Sequence, residues 1–176
     1  MEKKMSEYML DSKNTRISNS EKKLKIGILS SFTINGLDEC LKSKSEELDI
    51  DYQSFVSGYN QYNQEILNEN SKLYKFNPDI TFLIIDIKKL LGDFFYFSYS
   101  VTSEKRKEII DEKISEIKNL LLNFQKNSDK KLIISIVSMP MYSSNGILDN
   151  KSEFGFYEMI NKLNSELIIF AKNKQS

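Results

Sequence analysis

Four short runs rich in aliphatic and β-branched residues alternate with four helical patterns along the chain. The runs are residues 24–30 (LKIGILS), 50–56 (IDYQSFV), 79–87 (DITFLIIDI) and 131–137 (KLIISIV). The first, third and fourth are almost continuously apolar, as expected of strands buried on both faces of a parallel sheet. The second alternates and belongs nearer an edge. Helical spacing predicts helices over residues 36–48, with Leu37, Cys40 and Leu41 on one face, and over residues 62–67. A long helix is predicted over residues 103–125. It sets Ile109, Ile110, Ile114, Ile117, Leu120, Leu121 and Phe124 along one stripe, with Thr102 or Ser103 as its cap. A last helix, residues 153–171, turns Phe156, Ile160, Leu163, Leu167 and Ile168 inward.

Strand–helix alternation of this kind predicts a three-layer α/β/α sandwich around a parallel, flavodoxin-like sheet. Right-handed crossovers favour the strand order 2-1-3-4, with the fifth strand of related folds missing. The outer strand then needs covering, and edge pairing into a dimer is one way to cover it. Ligands in such sheets sit at the carboxyl ends of the strands, near the switch between strands 1 and 3. Residues 1–22 are polar and charged and read as a flexible tail, leaving residues 23–176 as one domain.

Charge and composition narrow the chemistry. Lys plus Arg and Asp plus Glu both number 25, so net charge gives no case for nucleic acid or an anionic membrane. No apolar run reaches the ~18 residues of a membrane span. The sequence contains no histidine, which removes the commonest general base and zinc ligand; no metal or cofactor is expected. The single cysteine, Cys40, has no partner for an internal disulfide and fits a reduced, cytoplasmic setting with a packing role.

Polar groups gather after each strand. The loop after strand 1 contains Ser30, Ser31, Thr33, Asn35 and Gly36. It suits either an anion at a helix start or a cap by Thr33 or Asn35. After strand 2, residues 57–64 (SGYNQYNQ) bring amides and phenols that either bind a polar ligand or form a solvated turn. Strand 3 ends in Asp86, followed by Lys88 and Lys89. A phospho-accepting aspartate would need acidic residues after strand 1 for magnesium, where Ser30 and Ser31 stand. A phosphatase aspartate would need a second one at position 88, which is lysine, so Asp86 reads as a cap or a ligand contact. The aromatic run 94–99 (FFYFSY) reads as packing or, failing that, as a partner-binding patch.

Several of these segments resemble known families. Strand 1 and its loop resemble the first block of SGNH hydrolases, with Ser31 at the nucleophile position and Thr33 at the threonine. Leu29 and Ser30 replace the usual glycine and aspartate. Gly58 matches a second-block glycine, and Pro78-Asp79 matches that family's entry to strand 3. Lys88 stands at the oxyanion asparagine. The Asp-x-x-His dyad is absent. The N-terminal domain of FkbH-like proteins is a closer likeness. It carries comparable turns at residues 31–37 (SFTINGL), 58–65 (GYNQYNQE) and 146–149 (GILD). The resemblance implies an SGNH-like domain that precedes a phosphatase-like domain loading glyceryl or acyl groups onto carrier proteins. It implies a non-catalytic binding or accessory role here, with an acyl carrier protein or attached catalytic domain as partner. Ser31 is then a vestigial nucleophile, with Ser30, Thr33, Gly58, Asn60, Asp86 and Lys88 around the ligand. Two alternatives stand beside it. One is a serine-dependent esterase or acyltransferase using Ser31 without histidine; the other is a flavodoxin-like binder of flavin mononucleotide.

Overall fold

A computed structural model describes residues 4–11 and 21–173. The elements run α1 (Met5–Asp11), β1 (Lys23–Ser30), α2 (Leu37–Glu47), β2 (Asp51–Val56), α3 (Tyr62–Leu67), α4 (Lys72–Phe76) and β3 (Ile80–Ile84). They continue with α5 (Ile87–Leu91), α6 (Phe94–Phe97), α7 (Ser103–Asn127), β4 (Lys131–Ile134) and α8 (Phe156–Asn173). Short 3-10 turns cover Ser98–Ser100 and Gly146–Lys151. The four strands are parallel and ordered β2-β1-β3-β4, as the crossover argument requires.

One face of the sheet carries the main core. Leu29 and Leu83 meet Tyr62 and Ile66 of α3, Leu73 of α4, Ile110, Ile117 and Phe124 of α7, and Phe156, Met159 and Leu163 of α8. On the other face α2 packs against β2, and α1 packs on α2, with Lys44 Nζ 5.3 Å from the centre of the Tyr8 ring. Part of the expected tail is therefore helical and docked, while residues 1–3 and 12–20 lie outside the described residues. Asp79 ties the entry of β3 to β1 twice: its N–H donates to Lys25 O at 2.8 Å, and its carboxylate accepts from Lys25 N at 2.9 Å.

Three expectations are corrected. Asp86 begins a short helix, so β3 stops at Ile84 and α5 follows at once. Neither Thr33 nor Asn35 caps α2; Gly36 occupies the N-cap at φ 83°, with no side-chain cap bond. Ile168 points outward and is 42% exposed, whereas Phe156, Ile160, Leu163 and Leu167 are buried as expected. The aromatic run divides: Phe95 is buried edge-on against Phe156 at 5.2 Å, while Tyr96 and Phe97 are exposed. Cys40 is half-buried.

The segment between β4 and α8 is held by two buried charges and an amide. Arg106, 6% exposed, donates to the carbonyls of Phe154, Glu153 and Val101 at 3.0, 2.6 and 2.8 Å. Asp149 accepts from the N–H groups of Phe156 and Tyr157 at 2.7 and 3.1 Å, at the positive start of α8. Asn164 accepts from Val137 N and donates to Val137 O at 2.8 and 2.9 Å. Replacing Arg106 by Met strands three carbonyls and is expected to cost about 2–4 kcal/mol. Urea unfolding checks this, and a loss below half of the lower figure would show that water replaces the guanidinium.

Candidate functional site

The polar loops meet where the parallel strands end. Ser30 and Ser31 follow the buried centre of β1, so both hydroxyls are fixed by the sheet rather than presented to solvent. Ser30 Oγ closes a local turn, donating to Phe32 O at 2.7 Å and accepting from Phe32 N at 3.0 Å. Ser31 is fully buried. Its N–H donates to Ile84 O at 3.1 Å, and its Oγ accepts from Asp86 N at 2.8 Å. Ser31 thus laces the end of β1 to the end of β3.

Asp86 does not turn its carboxylate to that hydroxyl. Oδ1 accepts from Lys88 N and Lys89 N at 3.0 and 3.3 Å, capping α5. The two lysines diverge from this turn. Lys88 Nζ stands 5.4 Å from the centre of the Phe95 ring, and Lys89 Nζ 5.2 Å from that of Tyr59. Hydrogen bonding to Tyr59 raises the Lys89 pKa above that of a free lysine, so this ammonium stays charged through the neutral range. The structure therefore brings Ser31, Asp86, Lys88 and Lys89 to one strand end. Thr33, Gly58 and Asn60 are exposed on neighbouring loops.

The 58–65 turn has a structural explanation for most of its residues. Asn60 takes φ 54°, a left-handed position that asparagine tolerates. Tyr62 and Ile66 enter the core. Glu65 accepts from Leu73 N at 3.0 Å and so fixes α4 against α3. In the 146–149 element, Asp149 is the α8 cap described above. Gly155 is small because a Cβ there would meet Asp149 O at 2.6 Å.

Sequence reading placed Ser57 in the polar loop after strand 2 but did not show that its hydroxyl is buried, where it lacks a hydrogen-bond partner among the described residues. It also missed the contact of Lys89 with Tyr59 and the exposure of Phe32, whereas the length of the loop after β4, which bears the exposed Met139, Met141 and Tyr142, marks that loop in the sequence. The exposure of Phe32 and the burial of the Ser57 hydroxyl need three dimensions to be seen. Among the described residues no group of three or more His, Cys, Asp or Glu is placed to hold a metal ion, and no helix is long and apolar enough to cross a membrane. Cavities are found beside Pro78 and Asp129, of about 330 Å³, and between α3 and α7, of about 290 Å³.

Removing the Ser31 hydroxyl leaves the Asp86 N–H without its acceptor. Ser31→Ala is expected to lower stability by about 1–2 kcal/mol. Equilibrium denaturation measures this, and an unchanged midpoint would mean that the cross-strand bond contributes nothing.

Comparison with known proteins agrees with this architecture. The family model "FkbH, N-terminal domain" matches residues 25–176. No curated protein matches the chain. The chain is similar in fold to a crystal structure of the N-terminal part of the protein BF1531 from Bacteroides fragilis, described as containing a phosphatase domain complexed with Mg. The TM-score is 0.77 at 20% identity, and the alignment covers 98% of this chain. The chain spans 43% of the length of that structure. The family model extends from β1 to the carboxyl terminus and takes in all three signature turns, and on that match the chain belongs to the FkbH N-terminal domain family.

Proposed function

We propose that this domain is a binding and accessory module, keeping an SGNH-like layout without hydrolytic chemistry, that serves carrier-protein loading. Its partner is an acyl carrier protein or an attached catalytic domain. The observation that carries the reading is the state of Ser31. A serine becomes a nucleophile when an adjacent base takes its proton and its oxygen faces substrate. Here the oxygen is fully buried, it already accepts a main-chain N–H, and the chain has no histidine to serve as base. Asp86, whose N–H meets that oxygen, commits its carboxylate to capping α5.

Around that closed centre the loops offer contacts. Lys88 and Lys89 are exposed cations, and Phe32, Tyr59, Met139, Met141 and Tyr142 are exposed apolar groups. Such a mixture suits an acidic protein surface carrying an acylated arm, because methionine adapts its shape and aromatic side chains bring area at low entropic cost. A cytoplasmic setting, where Cys40 stays reduced, fits the same role.

Two measurements test the proposal. A fluorophosphonate probe is expected to leave the protein unlabelled; stoichiometric labelling lost in Ser31→Ala would overturn the non-catalytic reading. An immobilised acyl carrier protein is expected to bind the domain, with Lys88→Glu/Lys89→Glu weakening binding by about tenfold or more. Equal binding by the double variant would move the docking surface elsewhere. No binding by the native domain would remove the carrier protein and leave the attached catalytic domain as partner.

A further inference from the structure

The chain contains two Asn-Gly pairs, Asn35-Gly36 after β1 and Asn145-Gly146 in the loop after β4. Such a pair can lose its side-chain amide without an enzyme. The glycine nitrogen attacks the asparagine side chain, and no Cβ stands beside that nitrogen to hinder it. As dipeptides the two pairs are equivalent. In the fold they are not.

Asn145 is held in place. Its amide nitrogen donates to Ser152 Oγ at 3.4 Å, and its main-chain carbonyl accepts from Leu148 N at 3.2 Å. The Gly146 N–H donates to Ser143 O at 3.1 Å, so the atom that would attack is already engaged. Asn145 also has ψ 0°. That angle eclipses the Gly146 nitrogen with the Asn145 nitrogen rather than with Cβ. The reacting atoms meet only if the backbone rotates and the turn opens.

Asn35 is exposed and lies outside any helix or strand. Among the described residues, neither its amide nor the Gly36 N–H makes a hydrogen bond. Gly36 is buried, but its engaged group is the carbonyl, which accepts from Cys40 N at 3.0 Å at the start of α2. No hydrogen bond has to break before the Gly36 nitrogen reaches the side chain of Asn35.

We propose that Asn35 is a site of spontaneous conversion to aspartate and isoaspartate in the folded domain, and that Asn145 is protected from it. The Gly36 nitrogen gives its proton to solvent base and bonds to Asn35 Cγ. The Cγ–Nδ2 bond breaks, and ammonia leaves with a proton taken from water. A second water then opens the cyclic imide. Opening at Cγ returns a proton to the Gly36 nitrogen and leaves aspartate. Opening at the main-chain carbonyl carbon leaves isoaspartate, with the chain running through Cβ and Cγ. Either product sets a carboxylate one residue before the N-cap of α2 and gives a chain of balanced charge one net negative charge. The isoaspartyl product also lengthens the main chain by a methylene group in the loop that joins β1 to α2.

Ageing the chain at mildly alkaline pH, folded and in urea, tests the assignment. Peptide mass spectrometry after digestion under acidic conditions reads each asparagine separately. In urea both are expected to convert. In the folded protein Asn35 is expected to convert at a comparable rate and to give two chromatographically distinct products of equal mass. Asn145 is expected to slow by about tenfold or more, because local opening has to come first. Asn35 slowed as much as Asn145 overturns the proposal. So does Asn145 converting as fast in the folded protein as in urea.

Discussion

The crossover from β2 to β3 has to pass over the middle of β1, and it lies there because residue 27 has no side chain. A Cβ at Gly27 would come within 3.0 Å of Leu73 Cδ1, 3.1 Å of Thr81 Oγ1 and 3.3 Å of Pro78 Cγ. Glycine inside a strand weakens it in isolation, so its presence marks a close approach. Everything downstream inherits that approach. Leu73 can sit fully buried on the sheet, Pro78 and Asp79 can deliver β3 beside β1, and Ile84 then ends level with Ser30, within reach of the Ser31 N–H. The hydrogen bonds that join the two strand ends exist only because the crossover is seated so low.

That seating also fixes the surroundings of Ser31. The switch between β1 and β3 is where open α/β sheets leave a crevice. Here the crevice floor is drawn shut by two bonds, Ser31 N to Ile84 O and Asp86 N to Ser31 Oγ. What remains accessible is the rim: two lysines, two tyrosines, a phenylalanine and two methionines on loops. That rim is the surface on which the proposed binding role rests.

Much of the fold was legible because its signals are long or repetitive. The 25 residues of α7 repeat their apolar stripe over many turns, and the capping role of Thr102 follows from its position. Strand order followed from handedness alone. The short helices α4, α5 and α6 were not legible, since helices of four or five residues are shorter than the period needed to recognise them. Ile168 was misjudged because helical spacing identifies an apolar stripe but not how much of it the neighbouring elements cover. At the site, the sequence placed Ser31 and Asp86 at adjoining strand ends. It could not show that the contact runs from a main-chain N–H to the hydroxyl, because that depends on how two segments 55 residues apart meet.

Asn164 serves as a strand one residue long. Its amide offers one acceptor and one donor, matched to the N–H and C=O of Val137, so the chain leaves the sheet with both groups satisfied. The match depends on a single nitrogen. Spontaneous hydrolysis of that amide to a carboxylate would keep the shape, but it would set an anionic oxygen against the Val137 carbonyl in place of an attraction. The exit from β4, and with it the path of the methionine-bearing loop, is therefore tied to the chemical age of one side chain.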